Sequence, residues 1–214
     1  MQLQAVIVPP SSVLDDAFTA AQTIHLKPGA PDVGVERGSV LQRLRKRQVD
    51  PEPTVTPLTL VGSGTAFVRL GRFGNVTIAD SLHLAQALMA AAATWPSPVV
   101  HVNELDIELT DTKLFVKAKL GGETDGLRSI FGQFHEAAKR ERFFLDRRSF
   151  RPEFDLASLD LPDDPTFLER LEWDADDHQG PEWRATHISL LKVLFGDDGQ
   201  TYEEIAQVPL GAPS

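Results

Sequence analysis

Two runs of alternating apolar and polar residues, joined by almost nothing, constrain this chain most. Val99–Leu109 and Lys113–Leu120 are separated only by Thr110, Asp111 and Thr112. So short a link joins antiparallel neighbours, because a parallel return needs a crossover of a dozen or more residues. Val100, Val102, Leu105, Ile107 and Leu109 are predicted to face a core, followed by Leu114 and Val116. A second hairpin is expected between strands over Glu182–Phe195 and Tyr202–Val208, turning at Asp197-Asp198-Gly199. Hairpins at these two places favour an α+β fold over a doubly wound parallel sheet.

The other elements fall between these anchors. Leu3–Val8 reads as a buried strand ending at Pro9-Pro10, and Ser11 or Ser12 is expected to cap a helix over Val13–Ile24, with Asp15 and Asp16 in its first turn. Lys27–Val35 reads as loop, Ser39–Gln48 as a short basic helix or turn, and Asp50–Pro57 as a proline spacer. Strands are expected at Thr59–Val61 and Ala66–Leu70, broken at Gly62-Ser63-Gly64, and at Phe150–Leu159. Helices are predicted over Ile78–Thr94, capped near Thr77 or Asp80, and over Asp125–Arg142. Asp160–Pro165 reads as loop, Thr166–Trp173 as a short helix and Asp174–Pro181 as an acidic turn.

Composition removes several function classes. With 42% hydrophobic and 24% charged residues, the chain can bury a core and is not disordered throughout. It has no cysteine, which excludes thiolate nucleophiles, cysteine-bound zinc, iron–sulfur clusters and disulfides. That is compatible with a reducing cytoplasm, the expected location. No apolar run reaches the roughly 20 residues needed to span a bilayer, and the first residues do not read as a signal peptide, so no membrane association is expected. The histidines lack ligand spacing, so neither a metal nor another cofactor is predicted.

The net charge of −10 argues against binding duplex DNA through its phosphates. Its distribution matters more than its sum. Nine acids and one base lie between Asp160 and Glu182, a segment expected to act as an acidic flap. Elsewhere the charges nearly balance, and Arg43–Arg47 and Lys139–Arg151 are basic.

Three stretches together resemble the 2′-5′ RNA ligase-like, or two-histidine (2H) phosphoesterase, family. Met1–Pro10 resembles its first strand and proline exit. Phe67-Val68-Arg69-Leu70-Gly71-Arg72-Phe73-Gly74-Asn75-Val76 resembles the stretch that carries its first His-x-Thr/Ser motif and the trailing Gly turn. Arg147-Arg148-Ser149-Phe150-Arg151-Pro152-Glu153-Phe154-Asp155-Leu156 resembles the second, with its aromatic-x-Pro lead. Beyond these three, Ile188–Leu210 also resembles the closing hairpin. The resemblance implies one bilobal domain over residues 1–214, with two pseudo-symmetric lobes whose antiparallel sheets surround a central cleft and whose helices lie outside. Strand alternation then sends Val68, Leu70, Phe154 and Leu156 into the core, and Phe67, Arg69, Glu153 and Asp155 into the cleft.

The motif positions themselves depart from the family. Phe67 and Glu153 stand at the histidine positions, and Arg69 and Asp155 at the hydroxyl positions. Phenylalanine carries no proton, and carboxylates repel a phosphate. The resemblance therefore implies a member that has lost the cyclic phosphodiesterase chemistry, with Arg69 expected to pair with Asp155 or Glu153. A second reading keeps a 2′,3′-cyclic phosphodiesterase with relocated groups, Glu153 or the His187-Ile188-Ser189 sequence. A third is a binding module in which Arg69, Arg72 and Arg151, with Lys117, Lys119, Arg147 and Arg148 on the rims, hold a nucleotide, phosphate or RNA end, while Phe67, Phe73 or Phe150 stacks a base.

Overall fold

The computed structural model describes residues 1–26, 58–161, 167, 171–172, 178–196 and 199–211. The loop, basic helix and spacer expected between Lys27 and Pro57 lie outside them. Two antiparallel sheets form the frame. The first has the order β11-β10-β1-β4, from β1 (Gln2–Ile7), β4 (Val68–Asn75), β10 (His187–Gly196) and β11 (Gly199–Pro209). The second has the order β3-β7-β6-β5-β9, from β3 (Thr59–Leu60), β5 (Val99–Leu109), β6 (Lys113–Gly122), β7 (Glu153–Asp160) and β9 (Trp183–Arg184). A small ladder joins β2 (His25–Leu26) to β8 (Leu171–Glu172).

Helix α1 (Ser11–Ala21) packs on β5 and β7. Helix α2 (Ile78–Ala92) packs on β11 and on α3 (Thr124–Arg140), which itself meets β4. Each sheet thus has one face against helices, the α+β arrangement expected. Leu3, Ala5, Ile7, Val68, Leu70, Val116, Phe154 and Leu156 belong to one buried cluster between strands and helices.

Bulges set which side chains leave that core. Between Val102 and Glu104 the β5–β6 register shifts, so the apolar phase passes from Val100 and Val102 to Leu105 and Ile107. This reconciles the mixed spacing in the sequence, although Leu109, expected in the core, is exposed at the strand end. On β4 a shift opposite Ala5 and Val6 puts both Leu70 and Gly71 on the helix side and returns Arg72 to the open face opposite Gln4. Gly71 is closely covered: a Cβ there would lie 2.9 Å from Leu145 Cδ2, which would have to turn aside, and 3.3 Å from Phe134 Cε1.

Several expectations are corrected. Helix α1 starts at Ser11 without a side-chain cap, because the extended Pro10 offers its carbonyl directly to Val13 N (3.0 Å) and Leu14 N (3.1 Å). Asp15 and Asp16 consequently fall beyond the first turn. By contrast, Thr77 and Asp80 form a reciprocal capping box on α2, as expected. The Gly62-Ser63-Gly64 break is a 3₁₀ turn over Ser63–Thr65. Leu171 and Glu172, placed in a helix by the sequence, instead pair as strand with His25 and Leu26, so tertiary pairing overrides local preference. The strand expected over Glu182–Phe195 breaks at Ala185–Thr186, so that β9 joins the second sheet and β10 the first. Most of the acidic segment 160–182 lies outside the described residues. Its described parts are docked: Phe167 is buried, Gly180 N donates to Val102 O at 2.8 Å, and His178 Nε2 lies 3.0 Å from Asp16 Oδ2. Among the described residues, no helix is long and apolar enough to cross a membrane.

Candidate functional site

The faces turned away from the helices carry the polar chemistry. On the second sheet, β5 presents Glu104, Asp106 and Glu108, β6 presents Lys117 and Lys119, and β7 presents Glu153 and Asp155. Register aligns these as acid–base–acid rows, Glu104–Lys119–Glu153 and Asp106–Lys117–Asp155. Opposite charges directly across antiparallel strands stabilise the pairing. Lys117 Nζ donates to Glu153 Oε1 at 2.9 Å and also contacts Glu108 Oε2. Burial depresses the Lys117 pKa, but its bonds to Glu108 and Glu153 outweigh that and leave it raised. The same hydrogen bond to Lys117 holds the Glu108 carboxyl below its usual range. Lys119 is raised by its hydrogen bonds to Asp106 and Glu104.

A cavity of about 360 Å³ lies where this face meets β4. Phe67 and Arg69 line it from the first sheet, and Glu153, Phe154 and Asp155 from the second. All four motif-position residues therefore share one cavity. Lys117, Arg148 and Arg151 add cations, and Thr65 and Ser149 add hydroxyls. Arg151 lies 3.5 Å from Glu108 and 3.7 Å from Glu153, and Arg148 lies 3.1 Å from Asp146.

Arg69 differs from these cations. Among the described residues no carboxylate pairs with it, and its buried Nε has no hydrogen-bond partner. Burial holds its guanidinium pKa below the ordinary value, and the Arg72 and Arg148 charges add to that, while Asp155 opposes it. The expected pair between Arg69 and Glu153 or Asp155 is thus not formed. Lys117 takes Glu153 instead, because it stands on the adjacent strand, whereas Arg69 must reach across from the other sheet. The signal for this lay in the sequence, where acids and lysines alternate with the period of a strand at Glu104-x-Asp106-x-Glu108 and Lys117-x-Lys119.

The remaining candidates separate. Arg72 is exposed outside the cavity lining, with its backbone N–H donating to Asp146 Oδ1 at 2.7 Å. Lys119 is also absent from the lining. His187 Nδ1 lies 3.0 Å from Thr186 Oγ1, and Ser189 is fully buried; neither lines the cavity. Phe73 and Phe150 are core residues, Phe73 packing on Phe134 and Phe143 and Phe150 on Phe131. Phe67 alone of the three reaches the cleft. Among the described residues no group of three or more His, Asp or Glu is placed to hold a metal ion. Thr65 and Ser149 line the cavity although sequence reasoning assigned them no role, and Gln4 and Tyr202 stand on the open face of the first sheet.

Two antiparallel sheets facing a cleft, with helices outside, are the fold of the 2′-5′ RNA ligase-like proteins, the 2H phosphoesterases. No protein-family profile matches the sequence, and no curated protein matches it. Among solved structures, the chain is similar to TT0787 of Thermus thermophilus, with 16% identity, 98% of each chain covered and a TM-score of 0.63. It is similar to a phosphoesterase at 15% identity and TM-score 0.63, covering 99% of this chain and 98% of that one. Escherichia coli LigT in complex with NADP+ matches at 15% identity and TM-score 0.59, again over 99% and 98%.

Proposed function

We propose that the cleft binds the phosphate of a nucleotide or RNA end on Arg69 without the two-histidine chemistry. The observation that carries this is the state of Arg69, a partly buried cation with an unpartnered Nε, facing a cavity while the other lining cations are ion-paired. A guanidinium so placed gains most from an incoming oxyanion, which supplies both the missing acceptor and the missing charge. Ser149 offers a hydroxyl in the same cavity, whereas the Thr65 hydroxyl already donates to Gly62 O at 2.7 Å. The similar Escherichia coli LigT has been solved with 3′-AMP, with ATP and with phosphate, which supports a ligand of this chemistry.

The loss of turnover rests on Phe67 and Glu153. Phe67 has no proton to give or take. Glu153 holds Lys117 at 2.9 Å and Arg151 at 3.7 Å, both on its Oε1, so that oxygen is engaged with cations rather than free to act on a substrate hydroxyl. Calorimetric titration with phosphate, 3′-AMP and ATP is expected to show binding, and Arg69→Met to abolish it. Incubation with 2′,3′-cyclic nucleotides is expected to yield no ring-opened product. Measurable turnover would overturn the loss of chemistry, and equal binding by Arg69→Met would overturn the role of Arg69.

A further inference from the structure

The open face of the first sheet carries polar groups that phosphate binding leaves unused. Gln4 is fully buried, yet neither its amide nitrogen nor its amide oxygen has a hydrogen-bond partner. Ser189 is also fully buried, and its hydroxyl has no partner. Register brings them together. Val6 stands opposite Arg69 on β4 and opposite Ser189 on β10, and Gln4 precedes it on the same face of β1. The unpaired Gln4 amide, Ser189 hydroxyl and Arg69 Nε therefore surround a single residue. Unpaired buried polar groups are destabilising and rare, so three around one residue require an explanation.

Aromatic rings occupy the same place. Phe67 and Leu191 pack on Val6, with Tyr202 against them. The Phe67 and Tyr202 rings meet edge to face, with centroids 5.2 Å apart. Tyr202 is only half-buried and stands on β11, an edge strand, so it can swing toward solvent.

We infer that this is a nucleobase pocket: Tyr202 opens, a base stacks against Phe67 and Tyr202, and its edge pairs with the Gln4 amide and the Ser189 hydroxyl. A primary amide presents a donor and an acceptor side by side in one plane, the pattern that matches a base edge. Aromatic faces supply stacking for any base. The inference deepens the nucleotide reading above and rests on it for the neighbouring phosphate at Arg69. An ordered water bridging Gln4 and Ser189 is the competing account.

Calorimetry on the full chain separates the two claims, with inorganic phosphate, ribose 5-phosphate and adenosine 5′-monophosphate as probes. The nucleotide is expected to bind about tenfold or more tighter than ribose 5-phosphate, the increment supplied by stacking and the base edge. Gln4→Leu is expected to erase that increment, leave both base-free probes unchanged and melt no lower than the wild type. Should that variant fail to fold, Tyr202→Ala on the edge strand is expected to lose the stacking increment instead. Equal affinity for ribose 5-phosphate and the nucleotide would overturn the base pocket while leaving the anion site standing, as would an increment that survives both substitutions. Failure of both base-free probes would remove the anion site, and the nucleotide titration would then decide the base pocket: binding lost in Gln4→Leu supports it, and no binding overturns it.

Discussion

Replacing Arg69 with methionine is expected to stabilise the unliganded protein. Methionine keeps most of the apolar stem of arginine but removes the charge and the orphaned Nε. An unsatisfied buried polar group costs about 1–3 kcal/mol. Arg69 also lies near Arg72 and Arg148, whose charges act against its own, while Asp155 offsets part of that repulsion. Because the side chain is only partly buried, solvent screens these terms, and the lower end of the range applies, about 1 kcal/mol. In a chain of 214 residues that is a rise in melting temperature of about 2–4 °C. The assay is thermal unfolding with and without phosphate. A ligand at 100 times its dissociation constant stabilises the native state by about 2.7 kcal/mol. The order is therefore expected to invert: the variant melts above the wild type without phosphate and below it at saturation. A variant that melts lower in both conditions, or that responds to phosphate as the wild type does, would refute the view of Arg69 as an unpaired cation awaiting an anion.

Two further outcomes follow from the same face and core. Lys117→Met leaves Glu108 and Glu153 with only the more distant, exposed Arg151 as a shared cation, and since Lys117 and Glu153 are mostly buried, a loss of about 2 kcal/mol in urea unfolding is expected, between the surface and buried limits. The lowered Glu108 pKa adds stability above the ordinary carboxylate range near ~4.3, which fades as pH falls through the depressed value, and the raised Lys117 pKa adds stability below ~10.4, which fades as pH rises through the elevated one. The variant's stability is accordingly expected to vary less with pH at both extremes, and identical pH profiles would contradict the clamp. Gly71→Ala forces a methyl group against Leu145 and Phe134 and is expected to cost about 1–3 kcal/mol by denaturant melt, whereas a neutral result would mean that this side of β4 is looser than described.

Local periodicity carried much of the architecture. The apolar phase of Val68 and Leu70, and of Phe154 and Leu156, placed Phe67, Arg69, Glu153 and Asp155 on the opposite faces, and those four residues meet in one cavity. The capping box at Thr77 and the first hairpin were equally legible, because both depend on residues close in sequence. The break at Ala185–Thr186 was not, since a continuous strand-forming run gives no sign that its two ends belong to different sheets.

The sequence by itself determined what the motif positions can do: a phenylalanine and a carboxylate where the resembled family keeps proton-carrying histidines are a matter of residue identity alone. Only the tertiary structure decided who pairs with whom. Charge partners depend on strand register, on bulges such as those beside Val6 and Lys117, and on how far one sheet stands from the other. A side chain reaches its neighbour on the next strand before one across a cleft. That is why Lys117 holds Glu153 while Arg69, opposite, is left without a carboxylate, and why the unpaired amide of Gln4 emerges only once β4 and β10 are set on either side of β1.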